Sequence, residues 1–141
     1  MSRVFWDSML FIYLLEGNEI RRRRVEHLFA KSQDRGDSLF TSYLALGEVL
    51  AGALRPGDSG KALVIRDVMD EMGFTPLPFN AGAVEPFAIL RGKHKVGIAD
   101  AIHLACAASA GMDLFLTGDG DLQKLYVPGI QFIADYDNPL L

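Results

Sequence analysis

The chain has 141 residues, half of them hydrophobic and 23% charged, with a net charge of −4 and a single cysteine. These values exclude a disordered chain, a disulfide scaffold and a basic nucleic-acid binder that works without metal ions. They predict one domain over residues 1–141 with a core large enough to fold unaided. The longest apolar run, Met9 to Leu15, falls far short of the ~18 residues of a membrane span. No membrane association is expected, and the cytoplasm is the expected compartment.

In chain order, Arg3–Trp6 reads as a first strand, ended by Asp7, with an apolar helix from Ser8 to about Glu16. A second helix is expected over Glu19–Lys31, then a loop at Asp34–Asp37, a short strand Ser38–Thr41 and a helix Tyr43–Leu54 capped by Ser42. Arg55-Pro56-Gly57-Asp58 breaks that helix. The next helix, about Ser59–Met72, presents Leu63, Val64, Val68, Met69 and Met72 as its apolar side. Phe74–Phe79 reads as a strand whose Pro76 and Pro78 fit a sheet edge. Asn80 opens a helix that Pro86 kinks or delays to Glu85. A basic loop, Arg91–Lys95, leads to an Ala-rich helix Ile98–Ala110 closed by Gly111. A buried strand Asp113–Thr117, an acidic turn Gly118–Asp121 and a last strand near Ile130–Ile133 follow. The alternation predicts an α/β sandwich with a mostly parallel sheet, whose sites form past the carboxyl ends of strands.

The acids are unevenly placed. Residues 1–66 carry a net +2 and residues 67–141 a net −6. Asp7 lies past a strand, where it reads as a helix cap or as a site residue. Glu48 stands on a helix apolar nearly all round and either faces solvent or serves a site. Asp100 occupies the first turn of the Ala-rich helix, which the helix dipole favours by itself. Asp119 and Asp121 sit in a Gly-flanked turn, a common place for acids. His103, one helical turn after Asp100, reads as a satisfied core or rim histidine, and Cys106 as a small core residue. Arg21–Arg24 fits a solvated, ion-paired helix or an RNA backbone track. An EF-hand fails because Lys124 stands where its glycine belongs, and no P-loop or nucleophile elbow exists. If the carboxylates converge, they repel, and a divalent cation relieves that repulsion. All-oxygen ligation points to Mg²⁺ or Mn²⁺ and to phosphodiester hydrolysis.

The set of strand-Asp7-Ser8, Glu48 on the third helix, Gly97-Ile98-Ala99-Asp100-Ala101-Ile102-His103-Leu104-Ala105, and Leu114-Phe115-Leu116-Thr117-Gly118-Asp119-Gly120-Asp121-Leu122 resembles the PIN domain family. Within it, size and element order are similar to the VapC-type toxins of toxin–antitoxin pairs. The resemblance implies a three-layer α/β/α sandwich and a Mg²⁺- or Mn²⁺-dependent endoribonuclease leaving 5′-phosphate and 3′-hydroxyl ends. It implies Asp7, Asp100 and Asp119 as metal ligands, with Glu48 completing the acidic quartet. Thr117 would hold a carboxylate or a water, and Asp121 would share the metal or shape the turn. Arg91, Lys93 and Lys95, just before the Asp100 helix, become RNA-contact candidates. A cognate antitoxin and a homodimer are implied as partners, with Phe11, Tyr13, Tyr43 and Leu44 as a possible interface. The glycines around Asp119 depart from many relatives and predict a flexible turn. The alternative is a catalytically silent binding module of the same fold.

Overall fold

The computed structural model describes residues 1–54 and 61–141, and no side chain at 61 or 62. Five strands, β1 (Arg3–Trp6), β2 (Ser38–Ser42), β3 (Phe74–Leu77), β4 (Met112–Thr117) and β5 (Ile130–Asp135), form one sheet in the order β3-β2-β1-β4-β5. Every pairing is parallel, so the sheet is wholly rather than mostly parallel. The helices are α1 (Ser8–Glu16), α2 (Glu19–Arg35), α3 (Tyr43–Ala53), α4 (Lys61–Glu71), α5 (Ala81–Gly92) and α6 (Ile98–Ala110), and a short 3-10 turn spans Gly120–Lys124.

The pleat of β1 divides the core. Val4 and Trp6 point to one face, where they meet Leu10 and Phe11 of α1, Val25 and Leu28 of α2, Val49 of α3 and Met69 of α4. Phe5 points to the other face and joins Leu90, Leu104 and Phe115 under α5 and α6. Phe5 and Phe115 stack with ring centroids 4.9 Å apart. The result is the expected α/β/α sandwich. Cys106 is buried, and burial pushes its thiol up to about 11, so it is the inert core residue foreseen.

Several boundaries differ from the sequence reading. Helix α2 continues through Asp34 and Arg35 and stops at Gly36, whose φ of 70° supplies the left-handed cap. On α4 the buried residues are Ile65 and Met69, whereas Leu63 and Val64 are exposed. Met69 and Met72 of the expected side do pack in the core, but the face is turned so that Ile65 enters it in place of Leu63 and Val64. Strand β3 ends at Leu77 and is an edge strand, in keeping with Pro76 and Pro78. Helix α5 runs from Ala81 through Pro86 to Gly92, with Ala83 and Leu90 buried where it packs against α6. Asn80 is at its N-cap position without capping it, because its Oδ1 accepts from the Ser109 hydroxyl at 2.9 Å. Arg91 belongs to α5 rather than to the loop after it. The Arg55–Asp58 break and the expected helix start at Ser59 lie outside the described residues.

Candidate active site

The sheet order reverses at β1 and β4: successive strands step outward from β1 to β3, and β4 then adds on the opposite side of β1. Such a switch point leaves a crevice at the carboxyl strand ends, where both flanking crossovers turn away. Asp7 follows β1 there, and Thr117 ends β4.

Asp7 is 2% exposed and does both jobs open to it. Its Oδ1 accepts from the Met9 amide at 3.0 Å and caps α1. Its Oδ2 accepts from the Thr117 hydroxyl at 2.6 Å and from the Gly118 amide at 3.2 Å. Thr117, fully buried, in turn accepts from the Asp119 amide at 2.9 Å. One hydroxyl therefore ties the first acid to the turn that carries the other. Burial raises the Asp7 pKa, and these hydrogen bonds oppose the shift.

Asp119 accepts from the Asp121 amide at 3.0 Å through Oδ1. The Asp121 side chain is exposed and lies 3.8 Å from Lys124, so Asp121 supports the turn through its backbone. The Gly118–Gly120 turn is held at its first two residues. A Cβ on Gly118 would stand 2.8 Å from Met9 Cβ, and the backbone there is pinned by Asp7 and Thr117.

Asp100 is half-buried in the first turn of α6. Burial raises its pKa, Asp119 and Glu48 raise it further by repulsion, and His103 opposes them. Asp100, Asp119 and Glu48 thus stand within electrostatic reach of one another. Glu48 is neither free in solvent nor unpartnered: its Oε1 accepts from His103 Nε2 at 2.8 Å. His103 Nδ1 lies 2.7 Å from the Ser42 hydroxyl. This partner, 55 positions from Glu48, was missed in the sequence reading, where its one trace is a histidine on the Asp100 face of an otherwise apolar helix.

Among the described residues no three His, Cys, Asp or Glu side chains close on a metal ion by themselves. The donor set still fits a hard cation of the Mg²⁺ type, which keeps several waters and needs only one or two carboxylates. Asp100 has no hydrogen-bond donor among the described residues to offset its neighbours' charge, and a cation would supply that balance. A groove of about 440 Å³ lies beside Glu48, lined by Ile12, Leu15, Glu16, Val49, Gly52 and Ile65.

The basic candidates separate. Lys93 and Lys95 are exposed in the loop before α6, and Arg91 donates to the Val96 carbonyl at 3.0 Å. Of the arginine run, Arg23 and Arg22 pair with Glu19 and Glu26, Arg24 donates to the carbonyls of Tyr136 and Asn138, and Arg21 lies over the Tyr13 ring. The ion-paired reading holds, with Arg24 anchoring the C-terminal segment. Phe11 and Tyr13 are buried in the core and are not available as an interface, whereas Tyr43 is 56% exposed.

A PIN domain model matches residues 4–128. The chain belongs to the PIN domain family. No curated relative matches this PIN domain by sequence. Its fold is similar to that of VapBC2 from Rickettsia felis bound to a fragment of promoter DNA, with a TM-score of 0.73 at 13% identity over 95% of this chain and 98% of that one. DNA-bound VapBC from Salmonella typhimurium aligns with a TM-score of 0.66 at 21% identity, over 96% of this chain and 99% of that one. Mycobacterium tuberculosis VapC20, described as a sarcin–ricin loop cleaving toxin, aligns with a TM-score of 0.67 at 18% identity over 86% of this chain and 93% of that one. At these identities the likeness concerns the fold, and it extends over nearly the whole of each chain.

Proposed function

We propose that this PIN domain is a divalent-metal-dependent endoribonuclease and the toxin of a toxin–antitoxin pair. The observation that supports the reading is the Thr117 hydroxyl, which links Asp7 to the turn of Asp119 at the switch point, with Asp119 and Glu48 within electrostatic reach of Asp100. Asp7, Asp100 and Asp119 would hold Mg²⁺ or Mn²⁺, directly or through water. The ion, when bound, supplies Lewis-acid polarisation of a phosphate oxygen and a lowered water pKa. Thr117 keeps the Asp7 and Asp119 segments in register through its paired hydrogen bonds. Glu48 is the acid left to orient an attacking water or accept its proton. Attack on phosphorus with departure of the 3′-oxygen leaves a 5′-phosphate and a 3′-hydroxyl. Exposed Lys93 and Lys95, with Arg91, near the N-terminal end of α6, would meet the RNA backbone.

An antitoxin is the partner this reading calls for, as in the VapBC assemblies the fold resembles. The groove beside Glu48 would take an apolar side chain against Ile12, Leu15 and Ile65, and a cationic one against Glu16 and Glu48. A homodimer would use exposed apolar side chains such as Tyr43 in place of the buried Phe11 and Tyr13.

The test is cleavage of an end-labelled RNA by the purified chain in Mg²⁺ or Mn²⁺, against EDTA. Cleavage is expected in either ion, none in EDTA, and a loss of at least about 100-fold in Asp7→Asn and Asp100→Asn. Equal cleavage by the parent and both variants sinks the assignment of the site. A folded parent that binds RNA and never cleaves it is the silent binding module.

A further inference from the structure

We infer that His103 is a positioning residue for the proposed hydrolysis: held by Ser42, it donates from Nε2 to Glu48 and fixes the carboxylate toward the other acids. This rests on the ribonuclease reading above, which gives neither Ser42 nor His103 a part.

Donor and acceptor roles along the chain of contacts follow from its two ends. The Ala45 backbone amide can only donate, and it does so to Ser42 Oγ at 2.9 Å. The Ser42 hydroxyl hydrogen is then free to point at His103 Nδ1, 2.7 Å away. At the far end the ionised Glu48 carboxylate can only accept, so the contact of 2.8 Å requires a proton on Nε2. A ring accepting at Nδ1 and donating at Nε2 satisfies both ends.

Burial explains why the arrangement holds its shape. The imidazole is 1% exposed and Ser42 fully buried, so neither can trade its partner for water. Glu48 differs: its side chain is 36% exposed, and a long side chain at that exposure samples several rotamers unless something holds it. Glu48 and His103 are each the sixth residue of a helix that starts at the carboxyl edge of the sheet, α3 after β2 and α6 before β4. The two helices thus bring them side by side at one depth. With Oε1 occupied, Oε2 remains for the site, in keeping with the repulsion Glu48 exerts on Asp100. A leucine is of similar size but offers Glu48 no donor and Ser42 no acceptor.

The experiment is a double-mutant cycle on RNA cleavage in saturating Mg²⁺, joined to the ¹⁵N spectrum of the parent's histidine rings. His103→Leu is expected to lose about tenfold or more in kcat, with KM within about twofold of the parent. His103→Gln, which restores an N–H donor, recovers most of the loss. His103→Leu combined with Glu48→Gln is no slower than Glu48→Gln alone. The spectrum shows a proton on Nε2 of His103. Losses that multiply in the double variant, or an Nε2 without a proton, overturn the inference, as does His103→Gln no better than His103→Leu. If His103→Leu does not fold, the spectrum and the His103→Gln cycle decide. A folded parent that cleaves no RNA sinks the ribonuclease reading and this role with it, whereas an active parent with multiplying losses sinks this role alone.

Discussion

Asp100 is the residue on which the charge of the site falls most openly. Burial and the carboxylates of Asp119 and Glu48 hold its pKa above the ordinary value, and His103 gives back only part. Ionising Asp100 therefore costs native stability. The cost is absent below the unfolded pKa of about 4, where the side chain is protonated in both states, and complete once the pH passes the raised native value. Asp100→Asn is accordingly expected to melt about 2–4 °C above the parent at pH 7 in EDTA, with the gap closing as the pH falls toward 4. Mg²⁺ should raise the parent's Tm by mass action and leave that of the variant nearly unchanged. Thermal melts across that pH range, with and without Mg²⁺, check both. A variant that melts below the parent at every pH means that contacts of Asp100, rather than repulsion, dominate its contribution. Asp7 is the less clean probe. It caps α1 and accepts two further hydrogen bonds, so its substitution mixes lost bonds with relieved burial.

The strand ends and helix starts that hold these acids depend on close backbone approach. Gly118 lets β4 run on past Met9 and Tyr13 of α1: its missing Cβ would lie 2.8 Å from Met9 Cβ and 3.2 Å from the Tyr13 hydroxyl. Gly118→Ala must displace the turn that carries Asp119. A cost of ~1–3 kcal/mol in stability and a drop in cleavage of about tenfold or more are expected. Gly47→Ala is the contrast. Gly47 is exposed in the interior of α3 with open space around its Cβ position, so the change should add ~0.5–1 kcal/mol and leave cleavage as it was. Denaturant melts and initial rates on the two variants separate a positional need for glycine from an incidental one. The same scale shows what the sequence could disclose. The aromatic and β-branched run Val4-Phe5-Trp6, the Ala-rich run closed by Gly111 and the placement of Asp7 past a strand are local patterns, and all three appear in the fold. The face of α4 was legible only in part: Met69 and Met72 face the core as read, but Leu63, Val64 and Ile65 are consecutive apolar residues, and packing alone puts Ile65 inside. Not legible was the hydrogen-bonded chain from Ser42 through His103 to Glu48, which joins α3 to α6 across 61 and 55 positions. Helix periodicity says which way each residue faces and nothing of what comes to meet it.

For the whole molecule the question is how a chain of net charge −4 would hold the RNA that the proposed function requires. Most of the arginine run is already engaged, in ion pairs on α2 and in the anchoring of Tyr136 and Asn138. Lys93 and Lys95, exposed near the start of the helix that carries Asp100, and Arg91 beside them are the contacts the proposed reading uses, with the divalent ions the acids would hold. Two such ions offset four negative charges. A site of this kind predicts a shallow dependence on monovalent salt, since few phosphates are neutralised by side chains. Three contacts to a single strand give a slope of log K against log salt of about −2. Lys93→Ala with Lys95→Ala should bring it to about −0.7 and weaken binding to all sequences alike. Arg22→Ala with Arg23→Ala should leave it unchanged, because those guanidinium groups are paired with Glu26 and Glu19. Binding of a non-cleavable RNA, measured across salt in constant Mg²⁺ and again in EDTA, reads all of this. EDTA should abolish binding at moderate salt, when only the acidic chain remains. If the arginine pair shifts the slope and the lysine pair does not, the RNA path runs along α2, and the ion pairs on that helix give way when RNA arrives.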